Sequence, residues 1–437
     1  MVRTAAHRGP APSVLVVGGG VAGLSVATAL GRRFGRRGAA NVTLVDRSFA
    51  HVWKPMLHTF AAGTRRSQDE QLPFVHQAAR AGFRFLPGPL DGVDSEAGCI
   101  TVGALTDPGG RPVAPQRRVE YDYLVIAIGS RANDFSIRGV AEHCHFIDDL
   151  PAANAFNDRL YGELLQAASY DRRLELAIVG GGATGVELAA EVSQLLDIGR
   201  AYGTQNLRPQ LGITLIESGS RLLSSFPETI SAAAADQLRQ IGVRIYTDTR
   251  VVAADDDGFT LNNGGRIAAN LRVWAAGIRS EDIPEGFSGL ERKANGQLVV
   301  KPTLQVTRSD AIFAIGDCSS FIPPGSCRPL PPTAQVASQQ GRHVVEQISR
   351  LLEGRDVEAF EYRERGSLVS LGQYNAWGTL GRHGVFGASL IKGSAARLGH
   401  ALLYRQHQAE LYGLPGVCAL WASDALASFV RPPIRLG

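Results

Sequence analysis

Short β-branched runs that lead into glycines and then into helical spacing dominate the hydropathy pattern of this chain. Ser13 to Val17 reads Ser-Val-Leu-Val-Val, a run suited to a strand buried on both faces. It enters Gly18-Gly19-Gly20-Val21-Ala22-Gly23 directly, after which apolar positions recur at helical spacing to about Arg33. A second β run, Val42 to Val45, ends in Asp46. The same order returns further along: strand Leu176 to Val179, turn Gly180-Gly181-Gly182-Ala183-Thr184-Gly185, helix Val186 to Leu196, and strand Ile213 to Ile216 ending in Glu217. Tyr121 to Ser130, Arg272 to Gly277 and Ala311 to Asp317 are further apolar strands, each ending at or next to a glycine. Strands alternating with helices predict an α/β chain with parallel sheets.

Both turns carry the spacing GxGxxG between a strand and a helix, which is the grammar of a dinucleotide site. Gly18 and Gly180 permit the tight turn, Gly20 and Gly182 let backbone approach a pyrophosphate, and Gly23 and Gly185 let helix pack on strand. Asp46 and Glu217 stand at the strand end where a carboxylate accepts from an adenosine ribose, about 20 residues or more beyond the last glycine. One such turn also serves purely structural ends, whereas two complete copies predict two Rossmann-like domains. Asp317 arrives at the carboxyl end of its strand, where it either binds a ligand's hydroxyls or caps a helix.

A length of 437 residues calls for more than one core, since cores stop growing at roughly 250 to 300 residues. The net charge of +4 does not point to nucleic acid, and no nucleic-acid partner is expected. From Leu371 onward, Arg382, Lys392, Arg397, Arg405, Arg431 and Arg435 face only Glu410 and Asp424, so the tail carries the whole excess. Cys99, Cys144, Cys318, Cys327 and Cys418 are scattered, so neither a disulfide framework nor a metal site is expected. Met1 to Ser13, with Arg3 and Arg8, lacks the apolar core of a secretion signal, and no run approaches the roughly 20 residues of a membrane span.

On these residues the chain resembles the two-dinucleotide-binding flavoproteins, in which an FAD domain is interrupted by a nicotinamide domain. Within them His51-Val52-Trp53-Lys54-Pro55-Met56-Leu57-His58, Ala334-Gln335-Val336-Ala337-Ser338-Gln339, Tyr362 to Gly372, His407 to Gly413, Trp421 and Arg431 to Leu436 are similar to type II NADH:quinone oxidoreductases. The resemblance implies FAD and NADH as cofactors, a membrane quinone as acceptor, and two-electron transfer without proton pumping. It implies an FAD domain over 13–130 and 296–360, an NAD(P)H domain over 131–295 and a membrane-docking region over 361–437. Gly18, Gly20, Gly23, Asp46, Lys54, Gly129, Gly180, Gly182, Gly185, Glu217, Gly277, Gly316, Asp317 and Gln335 are then the cofactor-binding residues, and Glu187, Gln335 and Gln339 the catalytic ones.

Several of these residues keep a second reading. Gln335 and Gln339 are four apart, so on a helix both amides share a face and can reach one quinone carbonyl; otherwise they are solvated or capping side chains. Glu187 either shapes the nicotinamide pocket or complements a helix dipole. Glu217 favours NADH over NADPH, with Arg221 nearby as the counterweight, and Arg365 either touches quinone or pairs with Glu364. Calcium control is not expected, because the insertion that carries calcium loops in some relatives is absent.

From about Gly387 to Leu436, Leu398, Leu402, Leu403, Leu411, Leu414, Leu420, Trp421, Leu426 and Phe429 alternate with charged residues too often for a spanning helix. That composition fits an interfacial helix on an anionic membrane surface, and the resemblance implies the cytoplasmic face of the inner (plasma) membrane. An ordinary core or a homodimer interface is the plainer alternative. Two other functions share the fold class: a sulfide:quinone oxidoreductase using Cys144 and Cys327, and a nucleotide-binding redox sensor without turnover. A dithiol reductase is excluded, because no CxxxxC follows the first nucleotide helix.

Overall fold

A computed structural model describes residues 11–107, 109–201, 211–280, 287–372, 374–380 and 389–428. Arg3, Arg8, Arg382, Gly387, Phe429 and the ending Arg431 to Leu436 lie outside the described residues, as do the side chains of Lys392, Arg397 and Leu398. The chain divides into two compact units: residues 1–52, 71–131 and 279–362 form the first, and residues 53–70, 132–278 and 363–437 the second.

The first unit is built on a five-stranded sheet in the order Ile312–Ala314, Tyr123–Ile126, Ser13–Val17, Asn41–Asp46, Arg84–Pro87, every pairing parallel. Its central strand is buried from Val14 to Val17, which is why that segment is continuously apolar rather than alternating. Helices Val21–Arg33 and Ala334–Leu352 pack closely, with Gly341 of the second set against Ala22 of the first, where a Cβ would lie 3.3 Å from the Ala22 carbonyl oxygen. The expected strands around 121–130 and 311–317 are shorter than their apolar runs, because the residues after each strand turn through Gly129 and Gly316 at φ of 79° and 71°.

The second unit repeats the plan with four parallel strands, in the order Val243–Tyr246, Leu211–Ile216, Leu174–Val179, Leu271–Trp274. Helix Leu150–Tyr170 leads into it, capped by Asp149, whose carboxylate accepts from the Ala152 amide at 2.9 Å. Helix Ala183–Ala201 follows the second glycine turn.

Residues 53–70, with the short helix Leu57–Ala62, belong to the second unit, and residues 279–295 belong to the first. The described residues from 363 to 428 group with the second unit. There an antiparallel sheet, Ser367–Leu371 with Asn375–Leu380 and Ser389–Lys392, precedes helix Ser394–Ser428, which kinks at Gly413 (φ 77°) ahead of Pro415. The kink follows from glycine's left-handed backbone and proline's missing N–H. Stacking of Trp53 on His407, with ring centroids 4.4 Å apart, joins residues 53–70 to this helix, as does the Tyr404 hydroxyl bonded to Glu70. Among the described residues no helix is long and apolar enough to cross a membrane.

Candidate active site

The two glycine turns are geometric copies of each other. Gly18 takes φ of 101°, and a Cβ there would lie 2.3 Å from the Ala127 carbonyl oxygen; a Cβ on Gly23 would lie 1.8 Å from that of Gly18. Gly180 and Gly185 meet the same obstacles, Ala275 at 2.5 Å and Gly180 at 2.0 Å. These four glycines are required by the protein's own backbone. Gly20 and Gly182 are not: a Cβ on either would meet nothing within 4 Å. The open space beside both, at a helix N-terminus, fits a pyrophosphate approached by bare backbone.

Asp46 and Glu217 complete the two copies. The Asp46 carboxylate accepts from the Gly19 amide at 2.5 Å and the Ser48 amide at 2.7 Å. Burial raises its pKa, and those two amides oppose the rise. The Glu217 carboxylate accepts from the Gly181 amide at 2.7 Å and the Gly219 amide at 2.6 Å. Arg221 points its guanidinium at carbonyls instead, donating to Phe226 at 2.9 Å, Ser224 at 2.8 Å and Leu223 at 3.2 Å.

Within the first unit, further expected residues converge. Asp317 sits in the turn Gly316–Cys318 and accepts from the Ser130 hydroxyl at 2.7 Å, so its side chain is not a helix cap. Gln335 and Gln339 both lie on helix Ala334–Leu352, which Thr333 caps; Gln335 is half-buried and Gln339 buried. Gly129 leaves a Cβ position with nothing within 4 Å, and Gly316 faces the Ala337 side chain at 3.5 Å. The open Gly20 and Gly129 positions, together with Asp46, Asp317 and Ser130, fit a flavin dinucleotide.

Sequence reasoning missed two residues of this unit. Gln340, next to the expected Gln339, accepts from the Gly316 amide at 2.7 Å and so ties the glutamine helix to the Asp317 turn. Its signal was the doubled glutamine. His51 is buried with Nδ1 2.8 Å from the Gly19 carbonyl oxygen; burial pushes its pKa down to about 4, so the neutral ring donates through Nδ1. Lys54, expected among the cofactor ligands, is an exposed residue of the second unit, in the turn Lys54–Met56.

In the second unit Glu187 is buried on helix Ala183–Ala201. One carboxylate oxygen accepts from the Ser370 amide at 3.1 Å, and the other lies 3.5 Å from His58 Nδ1. Burial pushes its pKa up to about 8; the Ser370 amide opposes this and the nearby Glu191 charge adds to it. One helical turn on, Glu191 takes the Thr64 hydroxyl, and burial raises its pKa too. Tertiary partners thus hold Glu187, and a role confined to the helix dipole does not account for them. Gly277, at φ of 69°, closes the strand Leu271–Trp274 beside the ring of Phe135.

Two nucleotide folds with paired turns and terminal acids define a class. Residues 12–341 match the pyridine nucleotide-disulphide oxidoreductase family. The chain is 36% identical to the type II NADH:quinone oxidoreductase of Haemophilus influenzae, over 97% of this chain and 99% of that one. It is 31% identical to the Staphylococcus aureus (strain NCTC 8325 / PS 47) protein of the same name, over 88% and 92%. The protein belongs to the type II NADH:quinone oxidoreductases. In fold it is similar to NDH2 from Plasmodium falciparum in complex with NADH, with a TM-score of 0.82 at 19% identity, covering 97% of this chain and 100% of that one. The sulfide:quinone oxidoreductase of Aquifex aeolicus is also similar, with a TM-score of 0.73 at 17% identity and 96% coverage of both.

Proposed function

We propose that this protein oxidises NADH at the second unit and delivers two electrons to a quinone by way of FAD held in the first. The observation that carries this is the pair of glycines, Gly20 and Gly182, whose missing side chains no contact among the described residues explains. When bound, FAD supplies the two-electron redox chemistry between the nicotinamide and the quinone. Gly20 and Asp46 would hold its pyrophosphate and ribose, and Asp317, oriented by Ser130, would accept from its ribityl hydroxyls. Gln335 and Gln339 offer uncharged amides to a quinone carbonyl. Glu187, whose pKa burial pushes up to about 8, serves the nicotinamide end of the second unit as a neutral hydrogen-bonding group.

NADH is preferred over NADPH on this reading. Glu217 opposes a second negative charge at the adenosine ribose, and Arg221, with its guanidinium given to three carbonyls, does not offset it.

The sulfide chemistry fits less well. Burial pushes the Cys144 thiol up to about 12, which keeps it from acting as the thiolate that such a reaction needs.

Docking on an anionic membrane at the cytoplasmic face of the inner membrane is the role we assign to the kinked tail helix. Leu402, Leu403, Leu414, Trp421 and Leu426 are exposed along it. Leu411 and His407 face inward, and Arg405 is paired with Asp424, so lipid attraction rests on the apolar residues rather than on Arg405. A homodimer burying the same leucines is the competing use. Flotation with anionic liposomes separates them: Leu402→Gln, Leu414→Gln and Leu426→Gln lower membrane binding on this account, whereas unchanged flotation with a loss of dimers contradicts it.

Turnover tests the function as a whole. Purified holoenzyme consumes NADH and forms one quinol per NADH with a soluble quinone; NADH binding without consumption, with every quinone tried, would favour a redox sensor.

A further inference from the structure

We infer that Phe135 is a positioning residue for the nicotinamide half of NADH, an aromatic wall at the end of the second nucleotide sheet. This rests on reading the second unit as the NADH site. In that sheet Leu211–Ile216, ending in Glu217, flanks Leu174–Val179 on one side, and Leu271–Trp274 flanks it on the other. Open α/β sheets bind ligands at this reversal of strand order, outside the carboxyl ends. With the adenosine ribose at Glu217 and the pyrophosphate at Gly182, the remaining half of the dinucleotide extends across the end of Leu271–Trp274. Ala275 and Gly277 are there, and so is Phe135.

The local geometry is unusual for a residue that only packs. Phe135 is 56% exposed, although it is a large apolar side chain. Its ring lies so close to Gly277 that a Cβ on that glycine would sit 2.8 Å from Cζ. Phe135 and Ser136 take φ of 52° and 53°, a left-handed backbone that side chains with a Cβ disfavour. The turn is held in that state from several sides. The Asn133 side chain accepts from the Phe135 amide at 2.9 Å, and that of Asp134 accepts from the Ser136 amide at 3.3 Å. The Trp274 indole donates to the Asn133 carbonyl at 2.7 Å, and the Asn133 amide to the Gly277 carbonyl at 3.3 Å. Strain kept in place by neighbouring structure, with an exposed ring as its product, is characteristic of ligand sites. The flat ring offers stacking area to a nicotinamide or its ribose.

Calorimetric titration of the holoenzyme with NAD+ and, separately, AMP tests the proposal, because AMP contacts only the adenosine end. Phe135→Ala weakens NAD+ binding about threefold to tenfold, the range of an aromatic contact, and leaves AMP binding unchanged. Phe135→Tyr restores NAD+ affinity. Phe135→Gly loses NAD+ affinity as the alanine variant does, yet melts no lower than wild type, because glycine adopts the left-handed backbone without strain. Unchanged NAD+ affinity in Phe135→Ala overturns the proposal, as does an equal weakening of NAD+ and AMP. Wild-type enzyme that binds neither ligand overturns the NADH reading of the second unit, and the proposal with it.

Discussion

The Glu217 carboxylate accepts a hydrogen bond from the Gly181 amide at 2.7 Å, and the same relation joins Asp46 to Gly19 at 2.5 Å. Each acid therefore braces the glycine turn beside it, in addition to the ribose contact we propose for it. Glu217→Ala removes both services. It lowers kcat/KM for NADH at least about tenfold, since a charged hydrogen bond contributes about 1.5–3 kcal/mol. NADPH use improves little without an added basic residue, because Arg221 stays on its carbonyls. Steady-state kinetics with both nucleotides check this, and equal use of the two by the unmodified protein contradicts it.

The glycines separate folding from binding. Gly23→Ala places a Cβ 1.8 Å from the Gly18 oxygen, so that variant loses stability. Gly20→Val enters open space and yields folded, colourless protein. Gly182→Val yields yellow protein that NADH does not reduce. Circular dichroism, visible absorbance and anaerobic reduction read the three outcomes; a yellow Gly20→Val protein would sink the flavin assignment.

Two buried groups set opposite pH slopes on stability. His51 has a folded pKa near 4, below its usual 6.5, so the unfolded chain binds the extra proton and stability falls as pH drops from 6.5 through 4. Glu187, raised to about 8, binds its proton in the folded state, so its contribution is present below 4.5 and is lost as pH rises through 8. His51→Asn flattens the acid limb of a melting-temperature profile, and Glu187→Gln the alkaline limb. Profiles identical to wild type in both variants would refute the stated environments.

The glutamine helix divides its work between residues. Gln340→Ala removes the acceptor of the half-buried Gly316 amide and costs about 0.5–1.5 kcal/mol of stability. Gln335→Ala and Gln339→Ala slow reoxidation of the reduced enzyme by quinone more than its reduction by NADH. Stopped-flow traces resolve the halves; equal slowing of both would assign these amides to the flavin.

Much of this was legible in the chain because glycine spacing reports a backbone need directly. The turns at Gly18 and Gly180 have no other residue that fits φ of 101° and 115°, and both strand-end acids follow from the same plan. That Gly20 and Gly182 leave open space at their Cβ positions fits the second-glycine place each holds in its pattern. Gln340, His51 and Glu191 were not, because their roles depend on partners far away in sequence: Gly316, Gly19 and Thr64. For the same reason the union of residues 53–70 with the tail was not legible: it runs through Trp53 on His407 and Tyr404 on Glu70. Local pattern carries no trace of such pairings.

The central claim is that electrons pass from NADH to flavin and then to quinone, and an anaerobic spectroscopic titration tests it most directly. Adding one equivalent of NADH to the holoenzyme is expected to bleach the flavin absorbance, and one equivalent of a soluble quinone to restore it fully. Flavin that NADH leaves oxidised, or reduced flavin that no quinone reoxidises, would contradict the account.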